Sequence, residues 1–224
     1  MIHTVIFDIG GTLVNAPSVF NAFAEVMDPS RHEELFKFMR PIFMEIYRDE
    51  DRREFWTIKQ IAAYVVKKAA VQFGIEDISS KVGEVYGDFY LKQAKLFEDT
   101  LPALDKLKKE GIKTVAVSDA DADVLMRELT TFGIDKYFEN IIISSDVGAY
   151  KPTDKMVAYI RERVDQPYHG ILFVGDTEVD ILTGQKLNAH SVLIRRNGKF
   201  RYSADYQISD LSNIFGIISE LENE

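Results

Sequence analysis

The chain has 224 residues, 46% apolar and 28% charged, with a formal net charge of −9 and no cysteine. This is ordinary globular composition, enough for one large core or a core with a smaller inserted domain. The acidic balance removes bulk attraction to nucleic acid or anionic membranes, and the lack of cysteine removes disulfides, thiolate metal sites and cysteine nucleophiles.

A first strand is expected at 3–7, a short apolar run that ends at Asp8. From 16 to 96 the texture is helical, with no strand-like run. Leu35, Phe38, Met39, Ile42, Phe43 and Ile46 form one apolar stripe, in which Pro41 should bend or split the helix. Ile58, Ile61, Ala62, Val65, Val66, Ala69 and Phe73 form a second; Val82, Val85, Tyr86, Phe89 and Tyr90 form a third. The aromatics Phe20, Phe36, Phe43, Tyr47, Trp56 and Tyr64 read first as bundle core and second as pocket lining. The charge run Asp49, Glu50, Asp51, Arg52, Arg53 reads as a solvated turn between helices.

Beyond 97, strands and helices alternate. Leu104 and Leu107 mark a helix opened near Pro102 and closed by Gly111. A strand at 114–117 follows, then a helix on Val124, Leu125, Leu129 and Phe132. A strand at 141–143 precedes a helix on Met156, Val157, Ile160 and Val164, with Thr153 as N-cap. Further strands are expected at 171–174 and 192–194. This rhythm reads as βαβ crossovers in a doubly wound parallel α/β sheet, its strands buried on both faces. The expected organisation is a core of 1–15 and 97–224 with an all-α cap of 16–96, closing over the strand ends as a lid. No run reaches the ~20 apolar residues of a membrane helix, and no secretion-signal pattern opens the chain, so a cytoplasmic protein without membrane or nucleic-acid partners is expected.

Parallel sheets bind ligands at the carboxyl ends of their strands. There the sequence places Asp8-Ile9-Gly10-Gly11-Thr12, then Ser118-Asp119, then Lys151 before Pro152, then Gly175-Asp176-Thr177-Glu178-Val179-Asp180. Clustered carboxylates suit a hard cation such as Mg²⁺. Tight turns, hydroxyls and a lysine suit a phosphoryl group. Asp8 is an oxygen nucleophile able to take that group and pass it to water. Gly10 and Gly11 would let backbone N–H groups turn toward the anion. Asp121 and Asp123 read as helix N-caps.

In this order the four segments resemble the motifs of the haloacid dehalogenase (HAD) superfamily, in its phosphatase branch with an inserted helical cap, similar to phosphoglycolate phosphatases. The resemblance spans nearly the whole chain. It implies a Rossmann-like core and an aspartyl-phosphate on Asp8. Mg²⁺ would be held by Asp8, the backbone carbonyl of Gly10 and Asp176, with Asp180 close by or acting through water. Ser118 and Lys151 would grip the phosphoryl oxygens, and Lys151 would offset their repulsion from Asp8. Thr12 would brace the nucleophile loop, and Ile9, Gly10 and Asp119 would lie on the substrate side. The implied partner is a small phosphorylated metabolite, bound by a monomer or homodimer.

Two positions depart from that pattern. Phosphatases of the superfamily usually carry a second Asp two residues after the nucleophile, and here Gly10 stands there. The leaving oxygen loses its proton donor, a contribution worth roughly 10²–10⁴-fold. Asp119, where asparagine is common, adds negative charge beside an anion site unless it is neutralised or turned away. Hydrolysis of phosphate monoesters is therefore weighed against a weakly active or non-catalytic phospholigand-binding protein. A 2-haloacid dehalogenase is the third reading. That branch also lacks the second Asp, but it needs no metal and has little use for an Asp176/Asp180 pair.

Overall fold

A computed structural model describes residues 1–15, 18–48, 54–196 and 202–223; the charge run at 49–53 lies outside the described residues. The chain opens with β1 (Thr4–Phe7) and the two-residue β2 (Val14–Asn15). Helices α1 (Val19–Met27), α2 (His32–Tyr47) and α3 (Ile58–Phe73) follow, then a broken helix made of α4 (Val82–Glu84), a π-helical stretch (Val85–Tyr90) and α5 (Leu91–Gln93). After β3 (Lys95–Leu96) come α6 (Thr100–Lys109), β4 (Lys113–Ser118), α7 (Ala122–Phe132), β5 (Asn140–Ile143), α8 (Ser144–Val147) and α9 (Asp154–Arg161). The chain continues through β6 (Ile171–Gly175), α10 (Glu178–Leu187), β7 (His190–Ile194), β8 (Tyr206–Ile208) and α11 (Ile214–Glu222).

Six strands form one parallel sheet in the order β5-β4-β1-β6-β7-β8. The chain runs outward from β1 through β4 to β5, then returns to β6 on the other side of β1. The carboxyl ends of β1 and β6 thus flank the reversal of strand order, where open α/β sheets bind ligands. Alternate strand residues feed opposite cores. Val5, Phe7, Ala116, Leu172 and Val174 pack with α6, α7 and α11, whereas Ile6, Val115, Val117, Ile171 and Phe173 pack with α9 and the end of α10. Both faces are covered, which is why these strands read as unbroken apolar runs.

The helices between β2 and β3 bury a separate cluster, with Phe23, Leu35, Met39, Ile61, Val65 and Val66 at its centre. Phe20 and Phe43 are buried there, Phe36 packs against it, and Tyr64 is exposed. β2 and β3 pair antiparallel, Val14 with Leu96 and Asn15 with Lys95, so a strand closes the stretch expected to have none. Pro41 does not split its helix: α2 runs unbroken through it. Pro41 lies on the exposed side, where the carbonyl it leaves unbonded can meet water, while Leu35, Met39 and Phe43 hold the opposite face in the core. The third stripe widens into a π-turn, a form common at functional sites.

Candidate active site

Asp8 follows β1 directly, and its N–H donates to the Val174 carbonyl of β6 at 2.9 Å. Lys151 arrives on the loop before α9, its ammonium buried. Nζ donates to Asp8 Oδ1 and Asp180 Oδ1, each at 2.6 Å, and to the Val117 carbonyl at 3.3 Å. Asp180 is the third residue of α10; its Oδ2 accepts the Thr177 N–H at 3.0 Å and hydroxyl at 2.5 Å, closing a capping box. The Thr12 hydroxyl donates weakly to Asp8 Oδ2 at 3.4 Å. Arg196 in turn anchors the Thr12 carbonyl and pairs bidentately with Asp99.

Oxygens of Asp8, Asp176 and Asp180 lie within 4.8 Å of one another. Burial pushes the Asp8 carboxyl well above the usual carboxylate range; Lys151 opposes this, and the Asp180 and Asp176 charges add to it. Burial and Asp180 push Asp176 up to about 6. Burial alone would lower the Lys151 ammonium, but Asp180, Asp8 and Asp119 outweigh it and raise it. Asp176 Oδ1 is buried without a hydrogen-bond partner. Three carboxylates against one ammonium, with one oxygen orphaned, form a hard-oxygen donor set suited to a divalent cation.

The two loop glycines differ. Gly11 has φ +87°, and a Cβ there would collide with the Asp176 carboxylate. Gly10 needs no such freedom: its φ is outside the left-handed range, and a Cβ would meet nothing within 4 Å. Its bareness opens space instead of serving the turn. Gly175 at the end of β6 would strike Asp180 if it carried a Cβ, so the close approach of strand and helix depends on it.

A cavity of about 190 Å³ opens over these groups, lined among others by Asp8, Gly10, Ser118, Asp119 and Lys151. Ile9 does not line it. Its side chain is fully buried in the sheet core and its carbonyl accepts the N–H groups of Thr12, Leu13 and Val14, which leaves only its N–H for a ligand. Asp119 does line the cavity, but both its oxygens are engaged. Oδ2 accepts the Tyr47 hydroxyl at 2.6 Å and Oδ1 the Lys151 N–H at 3.1 Å. Burial raises its carboxyl, and Lys151 and Tyr47 oppose that rise. Asp121 sits at the N-cap of α7 without capping it; its carboxylate instead accepts the Lys59 N–H at the start of α3, at 2.9 Å. Asp123 pairs with the Lys59 ammonium at 2.7 Å. A second cavity of about 590 Å³, lined by Tyr47, Trp56, Tyr150 and Leu182 among others, adjoins the first through Tyr47, Lys151 and Val179.

Sequence reasoning missed Tyr86, Tyr90 and Glu128, which also line the smaller cavity. The signal was Glu128 itself, four residues after Val124 and three after Leu125, on an otherwise apolar helix face. Burial pushes its carboxyl up to about 7, against a hydrogen bond from Tyr90. The folded state therefore holds this proton at pH values where the unfolded chain has released it, and that contribution to stability is lost as pH rises through about 7. Between pH 5 and 8 the wild-type melting temperature should fall more steeply than that of Glu128→Gln; parallel curves in thermal melts would contradict this.

The family described as haloacid dehalogenase-like hydrolase matches residues 2–188. A candidate pyrophosphatase PpaX from Caldanaerobacter subterraneus is 30% identical over 146 residues, which are 63% of this chain and 65% of that protein. Pyrophosphatase PpaX from Bacillus pumilus is 24% identical over 97% of this chain and 96% of its own. Among solved structures, L-2-haloacid dehalogenase from Xanthobacter autotrophicus superposes with a TM-score of 0.79 at 16% identity, covering 98% of this chain and 99% of its own. At that identity the likeness is one of fold.

Proposed function

The chain belongs to the haloacid dehalogenase-like hydrolases, and on that premise we propose that it hydrolyses phosphate monoesters of small metabolites in a Mg²⁺-dependent reaction with Asp8 as nucleophile. The carrying observation is the buried cluster of Asp8, Asp176 and Asp180 around the Lys151 ammonium, with Asp176 Oδ1 unpartnered. Asp8, Asp176, Asp180 and the Gly10 carbonyl would hold the ion, which when bound would offset the charge of the phosphoryl oxygens.

The chain's own groups supply the rest. An Asp8 oxygen attacks phosphorus, the ester oxygen departs with the bonding pair as an oxyanion that takes its proton from solvent water, and a second water then cleaves the aspartyl-phosphate to regenerate Asp8 and release phosphate. Lys151 holds its proton and presents a fixed positive charge at Asp8, where negative charge gathers. Ser118, at the end of β4, offers a hydroxyl to the phosphoryl oxygens. Thr12 keeps Asp8 oriented. The segment 16–96 acts as a cap on a core of 1–15 and 97–224, latched by Tyr47 to Asp119 and by Lys59 to Asp121 and Asp123. The pyrophosphatase name of the relatives supports phosphorus–oxygen hydrolysis, and the composition favours the cytoplasm.

Turnover of an aryl phosphate such as p-nitrophenyl phosphate should appear with Mg²⁺ and drop at least tenfold with EDTA; equal rates in both would sink the proposal. Gly10 gives the second reading its footing, because no side chain there can protonate the leaving oxygen. Gly10→Asp, for which the cavity has room, should speed alkyl phosphates relative to aryl phosphates, by up to roughly 10²-fold. An unchanged ratio would mean that protonation is handled elsewhere. Tight phosphate binding without turnover would favour a binding protein, and metal-independent chloride release from 2-chloropropionate a dehalogenase.

A further inference from the structure

We propose that Glu128, together with Tyr90 and Tyr86, forms a specificity subsite that takes a hydrogen-bond donor, an ammonium or a hydroxyl, on the alcohol part of the substrate. The inference rests on the phosphatase reading and names the substrate class that the site would select.

Val124 and Glu128 share one face of α7, and Val124 is buried in the cap cluster. Glu128 is therefore carried to the seam between the helical segment and the sheet. It is 2% exposed, and its Oε1 has no hydrogen-bond partner. A glutamate buried for structural reasons normally faces an arginine or lysine. Here the neighbouring Arg127 turns to Asp88 at 2.7 Å, and Lys151 is committed to Asp8 and Asp180. Among the described residues lining this cavity, Lys151 is the only basic one. Glu128 lines the same cavity as Asp8 and Ser118. A ligand whose phosphoryl group sits at Ser118 and Lys151 would extend its alcohol toward Glu128.

The walls at that end fit the same ligand. The Tyr86 and Tyr90 rings meet edge to face, 5.4 Å between centroids. Aromatic faces accept a cation as readily as an alkyl chain. A carboxyl held near neutrality can face either a hydroxyl or an ammonium. A second anion would find no counter-charge beside Glu128, which disfavours carboxylate-bearing phosphoesters and inorganic pyrophosphate. The volume of about 190 Å³ suits a small alcohol phosphate.

The test compares three phosphonates of similar size by calorimetric titration with Mg²⁺ present: 2-aminoethylphosphonate, 2-hydroxyethylphosphonate and propylphosphonate. At least one of the two donor-bearing compounds should bind roughly tenfold or more tightly than propylphosphonate. Glu128→Leu should erase that preference. Glu128→Gln, which keeps the shape and loses the charge, should erase the preference for the amine while sparing the hydroxyl. Equal affinities in the wild type, binding of none of the three, or a preference retained in a folded Glu128→Gln for the amine would each overturn the subsite. Phosphonate binding needs no turnover, so these outcomes are separate from the aryl phosphate assay. A flat ratio with Mg²⁺-dependent hydrolysis removes only the subsite, and a clear ratio without hydrolysis removes only the phosphatase.

Discussion

Asp8→Asn will lower kcat on an aryl phosphate by roughly 10⁴-fold or more, since an amide cannot take up the phosphoryl group and the two-step route is lost. The same substitution should leave the fold intact. Burial and the neighbouring Asp180 and Asp176 raise the Asp8 carboxyl despite Lys151, so the folded protein holds this charge at a cost at neutral pH. By linkage, a raised carboxyl contributes stability that is lost as pH rises through its folded value. Replacing it with the neutral amide removes that loss. The melting temperature of metal-free Asp8→Asn at pH 7 should therefore match or exceed that of the wild type. Turnover within tenfold of wild type would remove Asp8 from the chemistry, and a collapsed fold would make its role structural.

Lys151→Met should have the opposite thermal signature. The ammonium is 2% exposed and is shared by two buried carboxylates. Removing one partner of a buried ion pair costs about 3–5 kcal/mol, which for a chain of this size is roughly 6–20 °C in melting temperature. Protonation of Asp8, whose carboxyl is already raised by burial, would relieve the uncompensated charge, so the gap to wild type should narrow as pH falls. Mg²⁺ should raise the melting temperature of the variant more than that of the wild type, because a dication would then meet three carboxylates that no longer share an ammonium. Activity should fall by roughly 10²–10³-fold, the scale of one lost electrostatic contact to a developing charge. A melting temperature within 2 °C of wild type, measured calorimetrically without metal, would contradict the placement of Lys151 at the centre of the cluster.

These two opposite expectations depend on a contact between residues 143 positions apart, and no local pattern announces such a contact. What was legible was narrower. β1, β4, β5, β6 and β7 stood out because strands covered on both faces must be apolar at consecutive positions. β8 did not: at the sheet edge its three residues are half-buried, exposed and buried in turn, too short an alternation to separate from loop. The helical segment showed its amphipathic stripes, yet Tyr86 and Tyr90 read as bundle core because a 3.6-residue period cannot foretell the π-turn that carries them to the cavity. Glu128 drew no reading at all, because it lines the cavity only together with Tyr86 and Tyr90 of the π-turn, residues remote from it in sequence.

Alone, the sequence determined the alternation of buried strands and helices, and the set of Asp8, Ser118, Lys151, Asp176 and Asp180 near strand ends, because periodicity and strand-end chemistry are local properties of the chain. Only the tertiary structure decided that these ends converge, that Asp119 is spent on Tyr47 and the Lys151 backbone, and that Gly10 leaves open space while Gly11 cannot. Each of these depends on how closely segments remote in sequence approach one another. Strand order and helix packing set that distance, and residue type does not.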